Sequence, residues 1–377
     1  MTEWRERPGG AVGRIQPHRW RRISASVLLK THVAALGGGA VAAWVGTPLP
    51  FMIGALVTVA VLGLSGVPTA THRRCRDGGI LVLMTGIGLG FTPTAAATAI
   101  EQLGLILAAG VITVAIGCAI VPLLAHLAGI DRRTAFFCAV PGGAAEMSIM
   151  GERHGAAAAP IAMSQLMRIV TLVLVLPPAL TMAGVQGDGV PGGSLDVPFH
   201  LGGLIVTLIL ALLLSTFLRQ LGLSSGFLLG PMAIGVGFAL SGNAMSSVPT
   251  EVMQGAQVLM GAYLGAQFQP EVMRSMRRFM PAAALSVVLL AGACFALGAG
   301  LHWLNGERMP TMLLATAPGS VTEMSITADV LGLNTPLVTA YHLLRIFIVL
   351  VLTPPAFAVM QAFGMAGPHD AVAEPAE

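Results

Sequence analysis

Of 377 residues, 55% are apolar and only 10% charged, with a mean hydropathy of +0.81 and a formal net charge of +3. A soluble domain carries about 25% charged residues to keep its surface wet, so this composition excludes an ordinary soluble enzyme and matches a chain solvated by lipid. The 47 glycines and 24 prolines interrupt long apolar runs, a mixture suited to transmembrane helices that pack closely and break at defined points.

The chain begins with a basic segment, residues 1–25, holding Arg5, Arg7, Arg14, Arg19, Arg21 and Arg22, with Lys30 just beyond it. It reads as a cytoplasmic topology anchor rather than a nucleic-acid-binding arm. It also resembles a signal n-region, but no small-residue cleavage site follows, so it is expected to be retained. Six apolar elements follow, near 26–46, 48–65, 79–93, 101–128, 134–150 and 158–183. A Gly-rich linker, 184–198, leads to six more, near 199–218, 226–242, 252–268, 281–304, 310–327 and 337–363, and to a C-terminal tail, 364–377. Cys75, Cys118, Cys138 and Cys294 show no metal or redox spacing, and the nine histidines are scattered singly. No metal site, no cofactor and no disulfide framework is expected.

The two sets of elements are copies. PGGAAEMSI at 141–149 returns as PGSVTEMSI at 318–326, 177 residues later. The same offset carries Gly88 to Gly265, Gly155 to Gly332, Arg168 to Arg345 and Pro177-Pro178 to Pro354-Pro355. Repeats are therefore expected at 26–183 and 199–363.

Arginine placement bears on how the copies are oriented. If the fifth element of each half is re-entrant and the N-terminus is inside, inside loops hold Arg73, Arg74, Arg76, Arg132, Arg133, Arg153, Arg219, Arg274, Arg277 and Arg278. Outside loops then hold only Arg308, a ratio of ten to one. If all six elements cross, the ratio falls to six against five. The positive-inside rule favours the first arrangement. Its odd number of crossings makes the chain an all-α polytopic membrane protein of two inverted repeats. Each repeat has about five crossings and one element interrupted by Pro-Gly.

The interruptions are the candidate site. Proline removes a backbone donor and glycine loosens the chain, so Pro141, Gly142 and Gly143, and Pro318 and Gly319, are expected to unwind at membrane depth. Freed backbone groups there must be buried in protein or line a wet cavity. Discontinuous helices at corresponding places in two halves point to a transporter's binding site; a packing kink is the plainer alternative. Glu146 and Glu323 follow the breaks, where a charge needs a partner, a cavity or a proton. Arg168 and Arg345 are their candidate partners, either in fixed Glu–Arg pairs or as guanidinium ligands for an anionic substrate. Gln165 and His342 lie one turn before these arginines and share their face. Ser148 and Ser325 extend the polar surface, and Asp329 has no acidic counterpart in the first half. Gly86, Gly88, Gly90, Gly261 and Gly265 are expected to permit close helix approach.

The doubled PG[GS]-x-x-EM motif, the Gln-x-x-Arg of Gln165–Arg168 and the duplication together resemble the membrane AbrB-type family, over about 26–363. Members of that family are labelled as ammonia monooxygenases or as regulators of gene expression. The chain departs from the repeated pattern at His342, where the first half has Gln165. The family is also distantly similar to the cation/proton antiporter and bile-acid-symporter type of fold, an analogy of fold alone. The resemblance implies a bacterial inner-membrane protein. The scattered histidines argue against a monooxygenase, and no basic soluble domain supports direct nucleic-acid binding.

The expectation is thus a non-enzymatic, multi-pass inner-membrane protein with its N-terminus in the cytoplasm, a secondary transporter or exporter of a small solute. The alternative is a membrane-embedded sensor that regulates gene expression. The expected partners are the lipid bilayer and a small-molecule or ion substrate, and the sequence admits a homo-oligomer.

Overall fold

A computed structural model describes residues 24–187, 197–223 and 225–364. The basic N-terminal segment, most of the linker and the tail lie outside the described residues. Those described form sixteen α-helices and no strand. In the first half they are α1 (Ala25–Val45), α2 (Pro50–Leu64), α3 (Arg73–Leu89), α4 (Pro93–Glu101), α5 (Leu103–Ala128), α6 (Arg132–Ala139), α7 (Ala144–Arg153) and α8 (Ala158–Met182). The second half repeats them as α9 (Leu201–Gln220), α10 (Gly226–Ser241), α11 (Thr250–Gly265), α12 (Pro270–Ser275), α13 (Phe279–Asn305), α14 (Met309–Thr316), α15 (Val321–Val330) and α16 (Thr335–Ala362). Every helix of the first half has its counterpart close to 177 residues on.

Local chemistry sets many of the ends. The side chains of Asp131, Thr92 and Asn334 accept from backbone amides three residues on, capping α6, α4 and α16. Gly46, Gly129, Gly242 and Gly306 take left-handed φ and close α1, α5, α10 and α13. The third apolar element is longer than the hydropathy reading: α3 begins at Arg73, whose charge an inserted helix carries at its aqueous end. The chain then bends by 93° into α4, because Thr92-Pro93 ends one helix and starts another.

Helices α1, α5, α8, α9, α13 and α16 are long and apolar enough to cross a bilayer. Their outward faces expose large apolar side chains such as Val33, Ile209, Leu213, Val288 and Val351, with Trp44 and Trp303 near helix ends. This is the surface of a multi-pass membrane protein.

Relative direction follows from the close contacts. Gly79 of α3 lies against Ala256, Leu259 and Met260 of α11, and Gly86 against Met253. Residue numbers rise along one helix as they fall along the other, so α3 and α11 are antiparallel. They are also equivalent helices, so the two halves are inverted copies. Gly261 and Gly265 of α11 meet Met52 and Leu56 of α2 in ascending order, which makes those two helices parallel.

Packing divides the helices into two groups. Helices α1–α3 and α9–α11 form one, with α2 on α11 and α10 on α3 exchanged reciprocally between halves. Helices α5–α8 and α13–α16 form the other, with α5 on α16 and α13 on α8 exchanged in the same way. We call these the scaffold and the hairpin unit. They meet across an apolar seam in which Val170, Val173, Val321 and Ile326 share a core with Ile80, Leu83, Met84 and Met260.

Candidate functional site

Each Pro-Gly break is the tip of a re-entrant hairpin. Along α6 and α8, paired residues ascend together: Ala157 N donates to Thr134 Oγ1 at 2.9 Å, Ser164 Oγ to Cys138 O at 3.1 Å, and Gln165 Nε2 to Val140 O at 3.0 Å. These helices are therefore parallel. After the break α7 returns: Gly151 lies against Phe137 and Ile161, and the His154 ring stands 5.7 Å from that of Phe137. In the second half, His342 meets Leu314 and Arg345 meets Ala317 as the chain enters, then Thr339 meets Ser325 as it leaves. At about 1.5 Å per residue, arms of 8 and 10 residues reach roughly half of a hydrocarbon core about 30 Å thick. The re-entrant expectation for the fifth element matches this geometry; in the first half α1, α5 and α8 are long and apolar enough to cross, and α3 with α4 forms the bent pair.

The arginines hold the tips. Arg168 Nη2 donates to Gly142 O at 2.9 Å, and Arg345 donates to Ala317 O and Gly319 O, both at 2.5 Å. Gln165 Nε2 also donates to Phe137 O at 3.0 Å. His342 Nε2, 2.9 Å from Leu314 O, does the same work at the equivalent place. The carbonyls at the end of α6 and α14 lose their helical donors at the break, and side chains from α8 and α16 replace them.

This arrangement corrects the expected Glu–Arg pairing. No ion pair joins Glu146 to Arg168 or Glu323 to Arg345 among the described residues. Each arginine reaches back to the carbonyls before the break, whereas each glutamate lies in the first turn of the helix after it. There the positive end of the helix dipole favours a carboxylate. Arg168 Nε and Nη1, Gln165 Oε1 and Glu323 Oε2 are buried without a hydrogen-bond partner.

The remaining motif residues have packing roles. A Cβ on Gly142 would fall 2.6 Å from Met147 atoms, and one on Gly319 would fall 2.8 Å from Met324 Cγ. The methionine of each Glu-Met pair thus covers the tip glycine, which has to stay bare. Gly143 lies so close beneath the Glu146 carboxylate that a Cβ there would overlap Oε2. Its counterpart is Ser320, whose side chain occupies that space and lies beside Glu323. Ser148 Oγ donates to Ala144 O at 2.7 Å within α7, whereas Ser325 accepts from Thr339 at 2.8 Å. Pro141 and Pro318 are buried at the turns.

The two tips approach each other in the hairpin unit. Arg168 and Arg345 act electrostatically on one another, both act on Cys294 of α13, and α15 packs on α8. Sequence reasoning brought Glu146, Gln165 and Arg168 to one tip and Glu323, His342 and Arg345 to the other. It missed Ser164, Thr339 and Arg76, whose spacing carries no distinctive signal.

Two relatives share long stretches of this sequence. The chain is 26% identical over 246 residues to protein YhjN of Bacillus subtilis (strain 168), covering 61% of this chain and 64% of that one, so it spans under two thirds of that protein's length. It is 24% identical over 315 residues to the protein named "Putative regulator AbrB" of Escherichia coli (strain K12), covering 82% and 89% of the two chains. The family described as Transition state regulatory protein AbrB matches residues 51–361, which span both hairpins and most of the scaffold. The chain belongs to that AbrB family.

Proposed function

We propose that the protein is a secondary transporter or exporter of a small solute in the cell inner membrane, with the paired hairpin tips as its substrate site. The observation that carries this reading is the pair of re-entrant hairpins of opposite orientation, each ending in an unwound Pro-Gly tip next to a glutamate. Such hairpins expose backbone dipoles at membrane depth, which is tolerated only where they are buried in protein or line a cavity. Inverted halves supply the rest: two similar structures of opposite sidedness can exchange conformations and so open a shared site to one face and then the other. With the arginine-rich loops inside, the N-terminus is cytoplasmic, the α6–α7 hairpin enters from the cytoplasm, and the α14–α15 hairpin enters from outside.

The test needs no known substrate. In a variant lacking the four native cysteines, Ser148→Cys and Ser325→Cys are labelled separately with a membrane-impermeant reagent from each face. Transport predicts that the same site reacts from both faces. Protection from both faces in a folded protein would mean sealed packing elements and would end the transporter reading.

A second reading, a membrane sensor that regulates gene expression, is favoured by the name of the Escherichia coli relative. It predicts transcriptional changes that survive when the hairpins are locked by cross-links, which a purely transport-driven effect would not.

A further inference from the structure

The inverted halves differ in how their hairpins meet the scaffold. In α15 every residue from Val321 to Ala328 is buried, and the helix packs on α3. In the equivalent α7 only Met147 and Gly151 are buried, and α7 makes no comparable packing on α11. Ile326 is 1% exposed and its counterpart Ile149 is 50% exposed. One hairpin is docked and the other is free.

The docked hairpin encloses a carboxylate that pairs with no cation among the described residues, held only by hydrogen bonds from the Ser320 side chain and its own backbone amide. Glu323 is 2% exposed and its Oε2 has no hydrogen-bond partner. From α3, Arg76 acts on it at a distance without forming an ion pair. On α16, His342 and Arg345 are turned to the carbonyls of Leu314, Ala317 and Gly319. On α8, Arg168 is turned to Gly142. Helix α14 carries no ionisable side chain. Asp329, on α15 itself, lines a cavity at the other end of the helix with Gly86 and Ser247. On the free hairpin, Glu146 is half-buried. Arg168 is the cation that α8 offers, and Arg132 and Arg133 lie at the far end of α6. A buried carboxylate with one oxygen unsatisfied and no paired cation is stabilised when its charge is cancelled.

We propose that Glu323 and Glu146 are two copies of one site for a proton or small monovalent metal cation, loaded when a hairpin docks on the scaffold and released when it is freed. This rests on the transporter reading and names its coupling species. Each glutamate holds the same place at a hairpin tip, so docking α7 on α11 as α15 now docks on α3 would enclose Glu146 and open Glu323 to water. The apolar seam favours the exchange, since the hydrogen bonds that hold each tip stay inside the hairpin unit.

The experiment uses Ile149→Cys and Ile326→Cys, each in the cysteine-free full chain, reconstituted in vesicles. Labelling rates are followed from pH 5 to 9 and from zero to 200 mM sodium, alone and combined with Glu146→Gln and Glu323→Gln. The expected result is that the ratio of the two rates shifts at least tenfold with one variable, and that the glutamine variants abolish the shift. Dependence on pH alone identifies the proton, and dependence on sodium alone identifies the metal cation. A shift that persists in both glutamine variants overturns the assignment to the glutamates and leaves the transporter intact. An exchange of reactivity that responds to neither cation does the same. Rates that stay fixed under every condition, with both sites sealed from one face, overturn the cation site and the transporter together.

Discussion

At the scale of single residues, the pairing of Gln165 with His342 decides what that position is for. Both side chains lie one turn before an arginine, and both donate to a carbonyl of the entering arm. The chemistry required is a neutral donor of the right reach, which an amide and an imidazole share. His342→Gln is therefore expected to keep thermal stability within about 0.5 kcal/mol, whereas His342→Leu leaves the Leu314 carbonyl without its side-chain donor and costs about 1–3 kcal/mol. Thermal unfolding in detergent distinguishes these outcomes, and an equal loss in both variants would show that the ring itself is needed. The sequence placed these residues on one face but did not reveal their partners. The Glu–Arg expectation failed because charge complementarity is legible in a sequence, while the need of a broken helix end for donors appears only once the hairpin's sense is known.

At the scale of helices, the glycine pattern was legible and its use is specific. Gly88, Gly261 and Gly265 each lie where an added Cβ would strike the backbone of a neighbouring helix, at 2.8, 2.3 and 2.5 Å from carbonyl oxygens. Gly86 instead meets the flexible Met253 side chain, and Gly90 is the C-cap of α3. Backbone cannot step aside as a methionine can. Gly261→Leu is expected to part α2 from α11 and to destabilise the scaffold by about 1–3 kcal/mol or more, while Gly86→Ala is tolerated. Comparing the two by detergent-resistant folding and proteolysis separates close approach from general dislike of substitution. Helix α4 was not legible as a separate element. Its apolar run, Thr94 to Ile100, is continuous in composition with its neighbours, and only the 93° turn at Thr92-Pro93 sets it apart.

At the scale of the whole molecule, the 177-residue offset made the duplication plain, and the arginine bias anticipated the inversion that the antiparallel α3 and α11 display. What no single sequence contains is the difference between a docked α15 and a free α7. The same Glu-Met-Ser-Ile stretch occupies two environments in α15 and α7, which is the difference the proposed exchange of hairpins would interconvert. The inversion makes a prediction that depends on no substrate. Gly129 and Gly306 are equivalent, each ending its long helix in a left-handed turn just before a hairpin. Parallel repeats would put them on the same face, whereas inverted repeats put them on opposite faces whatever the sidedness of the N-terminus. Reporters fused after Gly129 and after Gly306 are expected to read cytoplasmic and exterior respectively, and a third fused after Arg278 is expected to read cytoplasmic. If the first two agreed, the hairpins would enter from one side, and no exchange of equivalent halves could carry a shared site across the membrane. If all three were reversed, inversion would stand and only the direction assigned to the free hairpin would change.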